Sequence, residues 1–267
     1  MNPRHTITSR QNERVKQAVK LRDARQRGKQ QRFIIDGLRE ITRAIDAEIE
    51  VVEAFLCPSL CSSPVAKELL ARLDNSGAVV AEVTGEVFEK LSFGSRSDGV
   101  VVVARTPGRN IDSLMLPEKP LIAVLEKLEK PGNVGAILRS ADGAGLDAVI
   151  VVDPQTDLFN PNTIRASVGT VFSKQVCTAS SDETVGRLRD WGLTLVAARP
   201  DADQLYTQVD YTQGIAIVLG NEAEGLTQTW KQADGLGVRL PMRGIADSLN
   251  VSTTAAVLFY EARRQRE

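Results

Sequence analysis

The sequence carries one histidine, three cysteines and a net charge of only −1 over 267 residues. Each scarcity excludes something. The lone histidine is His5, in a basic stretch near the start, and it reads as a mobile surface residue. The usual general base at neutral pH is therefore missing from every other position. Cys57 and Cys61 stand four apart with no second pair, and Cys177 stands alone, so no zinc ligand set is expected and no metal site is read. The three read as reduced thiols of a cytoplasmic protein. No apolar run approaches the roughly 20 residues that span a bilayer, and the N-terminus lacks the apolar core of a signal peptide. The balance of 33 basic against 34 acidic residues supplies no global field toward nucleic acid or membrane.

That balance hides a local excess. Up to Arg32 the bases are Arg4, Arg10, Arg14, Lys16, Lys20, Arg22, Arg25, Arg27, Lys29 and Arg32, against Glu13 and Asp23 alone. A basic arm on an otherwise acidic protein suits a polyanionic partner, or it is the solvated face of a helix. Residues 10–30 are polar and helical in pattern. Then come "RFIID" as a strand, Asp36-Gly37 as a turn and "LREITRAIDA" as a helix. "VVEAFLCP", "AVVAEVT" and "GVVVVAR" read as strands, alternating with the helices "PVAKELLARLDNSG" and "GEVFEKLS". This is a small α/β domain over 1–106. Residues 107–119, rich in proline, glycine and charge, read as a linker.

Residues 120–267 alternate strand and helix again, which predicts an α/β domain with a mostly parallel sheet and sites at the carboxyl ends of its strands. "DAVIVVD" is a continuous apolar run of the kind buried on both faces. Three loops carry chemistry. "GNEAEGLT", after the strand "GIAIVLG", spaces Gly220 and Gly225 almost like a phosphate-binding loop. Leu226 stands where that motif needs lysine, and Glu222 and Glu224 repel phosphate, so triphosphate binding is not expected. A glycine-lined loop with carboxylates suits a ligand with hydroxyls and positive charge, or it is a plain turn. "EKPGNVGAILRSADGAG" is not a dinucleotide fingerprint. Asn133 can cap a helix starting at Val134, and Arg139 lies inside that helix. "LPMRGIADSLNVS" leaves a strand as a Pro-Met-x-Gly loop whose free backbone groups can read an adenine edge. Ser248 and Asn250 are both good caps for the final helix, which needs only one of them.

Together, "NVGAILRSADGAG", "LGNEAEG" and "LPMRGIADSLNVS" resemble the three ordered motifs of the SpoU/TrmH family of RNA ribose 2′-O-methyltransferases, within the SPOUT superfamily. The resemblance covers Leu121 to Arg264. More loosely, "RFIIDGLREITRAI" and "SDGVVVVA" resemble the family's optional RNA substrate-binding domain. Asp98 stands where many relatives carry Gln, a departure that bears on the target rather than the fold.

The resemblance implies a C-terminal SPOUT-type domain with a deep trefoil knot, a homodimer joined through that domain with the last helix in the interface, and S-adenosylmethionine as cofactor. Leu219, Gly220, Asn221, Leu240, Met242, Ser248 and Leu249 would hold the cofactor. Arg139, Asn133, Glu222 and Asn250 would be catalytic. The family places Arg139 as the base, but an arginine does not deprotonate in a protein. Charge stabilisation and a bidentate phosphate clamp are the physically easier role. Glu222 would orient Arg139 or take the proton, and the two asparagines would orient the hydroxyl. Structured RNA, with 23S ribosomal RNA first, is the implied substrate. Transfer RNA, a base-methylating relative and a catalytically silent RNA-binding assembly factor are the alternatives.

Overall fold

The structure is a computed structural model that describes residues 5–93, 98–173, 175–222 and 224–267. Arg4 of the basic arm, and Ser97 and Ala223 of the quoted motifs, lie outside the described residues. The strands are β1 (His5–Ile7), β2 (Arg32–Asp36), β3 (Val51–Leu56), β4 (Val79–Val83), β5 (Val100–Arg105), β6 (Leu121–Glu126), β7 (Ala148–Val152), β8 (Val176–Ala179), β9 (Thr194–Ala198), β10 (Gln204–Leu205), β11 (Ile215–Leu219) and β12 (Gly235–Arg239). The helices are α1 (Glu13–Lys20), α2 (Ala24–Gln30), α3 (Leu38–Asp46), α4 (Pro64–Asn75), α5 (Gly85–Leu91), α6 (Pro131–Ala144), α7 (Pro161–Ala166), α8 (Ser181–Asp190), α9 (Gln228–Gln232) and α10 (Val251–Arg266).

The chain forms two compact units. One holds residues 1–108 with Phe159–Phe172, the other Arg109–Leu158 with Ser173–Glu267. This differs from a simple division at the linker, which puts 159–172 with the second half. Phe159 and Phe172 stack on Phe33 of β2, with ring centroids 4.5 and 5.9 Å away, and α7 follows between them. Burial of these rings, about 1.5–3 kcal/mol for a phenylalanine side chain, draws the segment into the first unit.

The first unit is a five-stranded mixed sheet in the order β1-β4-β3-β5-β2. β2 and β3 pair antiparallel with β5, while β4 lies parallel to both β3 and β1. The basic stretch is built into this unit and is not a free arm. It forms two helices, α1 and α2, separated where Asp23 accepts from the Gln26 backbone N–H and caps the second. Val15, Ala18 and Leu21 are buried in a core with Ile34 and Phe55. The Arg22 guanidinium donates to the carbonyls of Lys90, Leu91 and Ser92 and lies over the Phe93 ring. Arg27 is buried and donates to the carbonyls of Leu21 and Arg22, and Arg14 pairs with Glu53. His5 is not a loose end: it lies in β1 opposite Ala81.

The second unit is a seven-stranded sheet in the order β10-β12-β9-β11-β6-β7-β8, and every ladder in it is parallel. All residues of β6, β7 and β11 are buried, as expected of strands covered on both faces. α6 begins with Pro131 at its first turn and stops at Gly145, in the left-handed region at φ 66°. The stretch read as a linker adds a short 3₁₀ turn, Ile111–Ser113, whose Ile111 side chain is buried in this unit's core. Among the described residues no helix is long and apolar enough to cross a membrane, and no cluster of metal-ligating side chains is found.

Candidate functional site

β6 and β11 are hydrogen-bonded neighbours, with Leu125 opposite Leu219. From β6 the chain continues outward through β7 and β8, whereas β9 and β12 lie on the other side of β11. The carboxyl ends of β6 and β11 therefore flank the point where strand order reverses, and parallel sheets open a crevice there.

Two glycines shape the loop that leaves β11. A side chain on Gly220 would place its Cβ 2.5 Å from the Gly225 carbonyl carbon and 2.7 Å from the Leu226 nitrogen. Both atoms are backbone and cannot swing aside, so only glycine fits. Gly225 itself has φ +67° and bridges back to Asn221. The Asn221 amide donates to the Lys127 carbonyl at 3.0 Å and to Glu129 at 3.1 Å. The far end of the loop is fixed by Glu126, a fully buried carboxylate. It accepts from the Thr227 backbone N–H at 2.9 Å and from the Thr227 hydroxyl at 2.5 Å.

That frame presents Glu222. Its Oε1 accepts from Asn133 Nδ2 at 2.7 Å and from Asn250 Nδ2 at 2.6 Å. Its Oε2 accepts from Lys130 Nζ at 2.5 Å. The Lys130 hydrogen bond, ahead of its charge and of the Asn133 amide, holds the Glu222 carboxyl below the usual carboxylate range, and burial opposes this only in part. The same pairing raises the Lys130 ammonium. Three of the four residues read as catalytic from sequence thus meet at one point.

Asn133 does not cap its helix: α6 starts at Pro131, the capping position is Lys130, and the Asn133 side chain turns to Glu222. Asn250 does cap α10. Its Oδ1 accepts from the Ser252 backbone N–H at 2.9 Å and the Ser252 hydroxyl at 2.6 Å, which leaves its NH₂ for Glu222. One amide thus both starts a helix and joins the polar network. Arg139 lies six residues beyond Asn133 on α6, exposed and without a hydrogen-bond partner among the described residues. Glu222 is bonded to Lys130 rather than to Arg139.

Beside this network lies a cleft of about 820 Å³. Its lining includes Leu219, Gly220, Asn221, Leu240, Met242, Ser248 and Leu249, all seven of the residues assigned to a cofactor from sequence, together with Glu222 and Asn250. Sequence reasoning missed Arg199, Lys231 and Arg239 on its wall, because these come from the end of β9, α9 and β12, outside the three motifs. Arg199 is neutralised by a two-point pair with Asp201, at 2.7 and 3.1 Å. Lys130 was missed as well: a lysine before a proline carries no signal of its own.

A parallel α/β unit with a cleft of mixed apolar and charged lining, and a convergent polar network at its switch point, suits an enzyme that holds a small organic cofactor. Residues 120–260 match the model of the SpoU rRNA Methylase family, and residues 12–102 match the MRM3-like substrate binding domain. The 23S rRNA (uridine(2479)-2'-O)-methyltransferase of Streptomyces viridochromogenes is 30% identical over 244 residues, 88% of this chain and 83% of that protein. A crystal structure of an RNA 2'-O ribose methyltransferase superposes with TM-score 0.84 at 41% identity, covering 98% of this chain and 99% of that one. The AdoMet-bound rRNA methyltransferase from Sinorhizobium meliloti superposes with TM-score 0.88 at 27% identity, covering 97% of each chain. The chain belongs to the SpoU rRNA methylase family.

Proposed function

We propose that this protein transfers the methyl group of S-adenosylmethionine to a ribose 2′-hydroxyl of 23S ribosomal RNA. The observation that carries this is the meeting of Asn133, Glu222 and Asn250 at the lip of a cleft lined by the seven motif residues. The match of residues 12–102 to a substrate-binding domain, and the activity of the Streptomyces relative, support ribosomal RNA as the target.

The cleft suits the cofactor. Its volume falls within the roughly 300–1,000 Å³ typical of small-molecule sites. Leu240, Met242 and Leu249 offer apolar surface to an adenine, and Glu224 and Asp247 offer carboxylates to a cationic ligand. When bound, the cofactor supplies a methyl on positively charged sulfur, an electrophile that needs no further activation. The protein's task is then alignment, which accounts for roughly 7–11 kcal/mol in well-oriented reactions.

Glu222 is the organiser of the site and not its base. A carboxylate that accepts three hydrogen bonds and is held below its usual range is a poor proton acceptor. It fixes the two amides that orient the incoming ribose. Arg139 has an uncommitted guanidinium; it stabilises the developing alkoxide and clamps the adjacent phosphate, while the hydroxyl proton passes to solvent water. The chain leaves β12 beyond β9, yet α10 packs on α6, where Arg263 donates to the Ala144 carbonyl. This return supports the trefoil knot that the motifs imply. Tyr260, exposed on α10, supports a homodimer through that helix, and sedimentation of the purified protein tests the dimer.

The central test is methylation of 23S RNA taken from a strain that lacks the enzyme, followed by mapping of the labelled nucleotide. The expected product resists alkaline cleavage at one position. Label found on a base, or found only on transfer RNA when that is offered beside the 23S RNA, would overturn the assignment.

A further inference from the structure

Glu222 divides its two oxygens. Oε1 serves the amides of Asn133 and Asn250, and Oε2 accepts from Lys130, with the Val251 backbone N–H also bonded to the carboxylate. A carboxylate held at one oxygen only can still turn about its last bond, and each turn moves the acceptor that both amides need. Lys130 removes that freedom from the opposite side. It is itself well placed to do so, because it is the capping residue of α6, fixed between the β6 loop and Pro131. Its ammonium, a donor with nothing to offer the helix N-terminus, pairs with Glu222 at 2.5 Å. We propose that Lys130 is a positioning residue for methyl transfer, pinning Glu222 so that Asn133 and Asn250 face the ribose. The inference rests on the function proposed above and assigns a residue outside the catalytic set read from the motifs.

Two bland roles compete. The Lys130 side chain is 68% exposed, and an exposed ion pair adds little to stability. Its remaining N–H groups also face solvent and suit a phosphate of the RNA. Among the described residues, the charged and polar groups that face Glu222 are Lys130, which caps α6, Asn133 of α6, Asn250, which caps α10, and the Val251 backbone N–H; Glu129 acts through Lys130.

The test uses the full-length protein with Lys130→Met and Lys130→Arg. A positioning role lowers kcat in Lys130→Met by about threefold to tenfold, with the RNA KM changed by less than about twofold. Lys130→Arg restores most of kcat, since it keeps the charge and the donors. In a Glu222→Gln background, Lys130→Met has no further effect. A second measurement needs neither RNA nor cofactor: the carbon-13 carboxyl signal of Glu222, followed through acid titration. Its midpoint rises in Lys130→Met and returns in Lys130→Arg. A raised RNA KM with kcat unchanged would make Lys130 a phosphate contact. Independent, multiplying effects of the two substitutions, or an unmoved Glu222 midpoint, would also overturn the proposal. If the wild-type protein methylates no ribose, the proposed function fails, and the Glu222 titration still judges the coupling.

Discussion

The Asn250 side-chain amide lies 2.6 Å from Oε1 of Glu222, while its oxygen caps α10 through Ser252. The first contact ties the loop after β11 to the last helix. The second makes that tie depend on a correctly started helix. Catalytic geometry and helix stability therefore pass through one residue, and substitutions can separate them. Asn250→Ser keeps a capping oxygen but cannot reach Glu222. Its melting temperature is expected to stay close to wild type while methyl transfer falls by about a hundredfold, the scale of a misplaced reactant. Asn250→Ala loses both functions and costs about 1 kcal/mol of stability in addition. Calorimetric melts beside single-turnover methylation check this. Equal activity of the serine variant and the wild type would remove the amide from the site.

The pH dependence of stability follows from the direction of the Glu222 shift. Its carboxyl is lowered in the folded state, first by the Lys130 hydrogen bond. Stability from this group is fully present above the unfolded carboxylate value of about 4.3, and it is lost as pH falls through the lowered folded value. Melts of wild type and Glu222→Gln between about pH 3 and pH 7 are expected to differ most at the neutral end and to converge in acid. A gap that stays constant across this range would show that the Glu222 charge does not stabilise the fold.

The three motifs make most of the site readable in advance, because each pins a backbone feature to a residue type. Gly220 is forced by the approach of Gly225 and Leu226, and Asn250 by the start of α10. The long buried strands β6, β7 and β11 are equally clear as apolar runs. Other features leave no local trace. β1, β8 and β10 have two to four residues, too few to show a period. The membership of Phe159–Phe172 in the first unit depends on rings stacking on Phe33, more than a hundred positions away. The bases of the first helices look alike in sequence, yet Arg14, Arg22 and Arg27 are bonded inside the unit while others are not.

That last distinction sharpens where RNA binds. Arg10, Lys20, Arg25 and Lys29 have exposed side chains with no hydrogen bond or ion pair among the described residues. Deleting the whole stretch would remove Val15, Ala18 and Leu21 from the core, so deletion reports on folding and not on binding. Replacing the four exposed bases with glutamine is expected to leave the melting temperature nearly unchanged. RNA affinity falls, and the slope of log K against log salt flattens by about 0.7–0.9 for each phosphate no longer neutralised. Filter binding over a salt series measures this, and an unchanged slope would exclude these bases from the RNA-binding surface.

Arg139 carries the boldest expectation. It is exposed on α6 with no hydrogen-bond partner among the described residues, which is how an idle surface arginine also looks. Its place in the first motif assigns it to the acceptor, and the Glu222 network supplies no free base. If its charge stabilises the alkoxide, Arg139→Ala lowers methyl transfer by about a hundredfold or more, as losing one charge-stabilising donor does. Melting temperature and S-adenosylmethionine affinity stay put, because the side chain supports neither core nor cleft. Arg139→Lys separates a clamp from a base. Lysine keeps the charge and loses the planar fork, so a bidentate hold on the phosphate fails with it. A lysine acting as base would instead restore activity with a rate that climbs toward high pH, since only the neutral amine accepts a proton. Rates at saturating RNA and cofactor decide between these. Alanine turning over at nearly the wild-type rate would show Arg139 to be an ordinary surface residue and return the chemistry to the asparagines around Glu222.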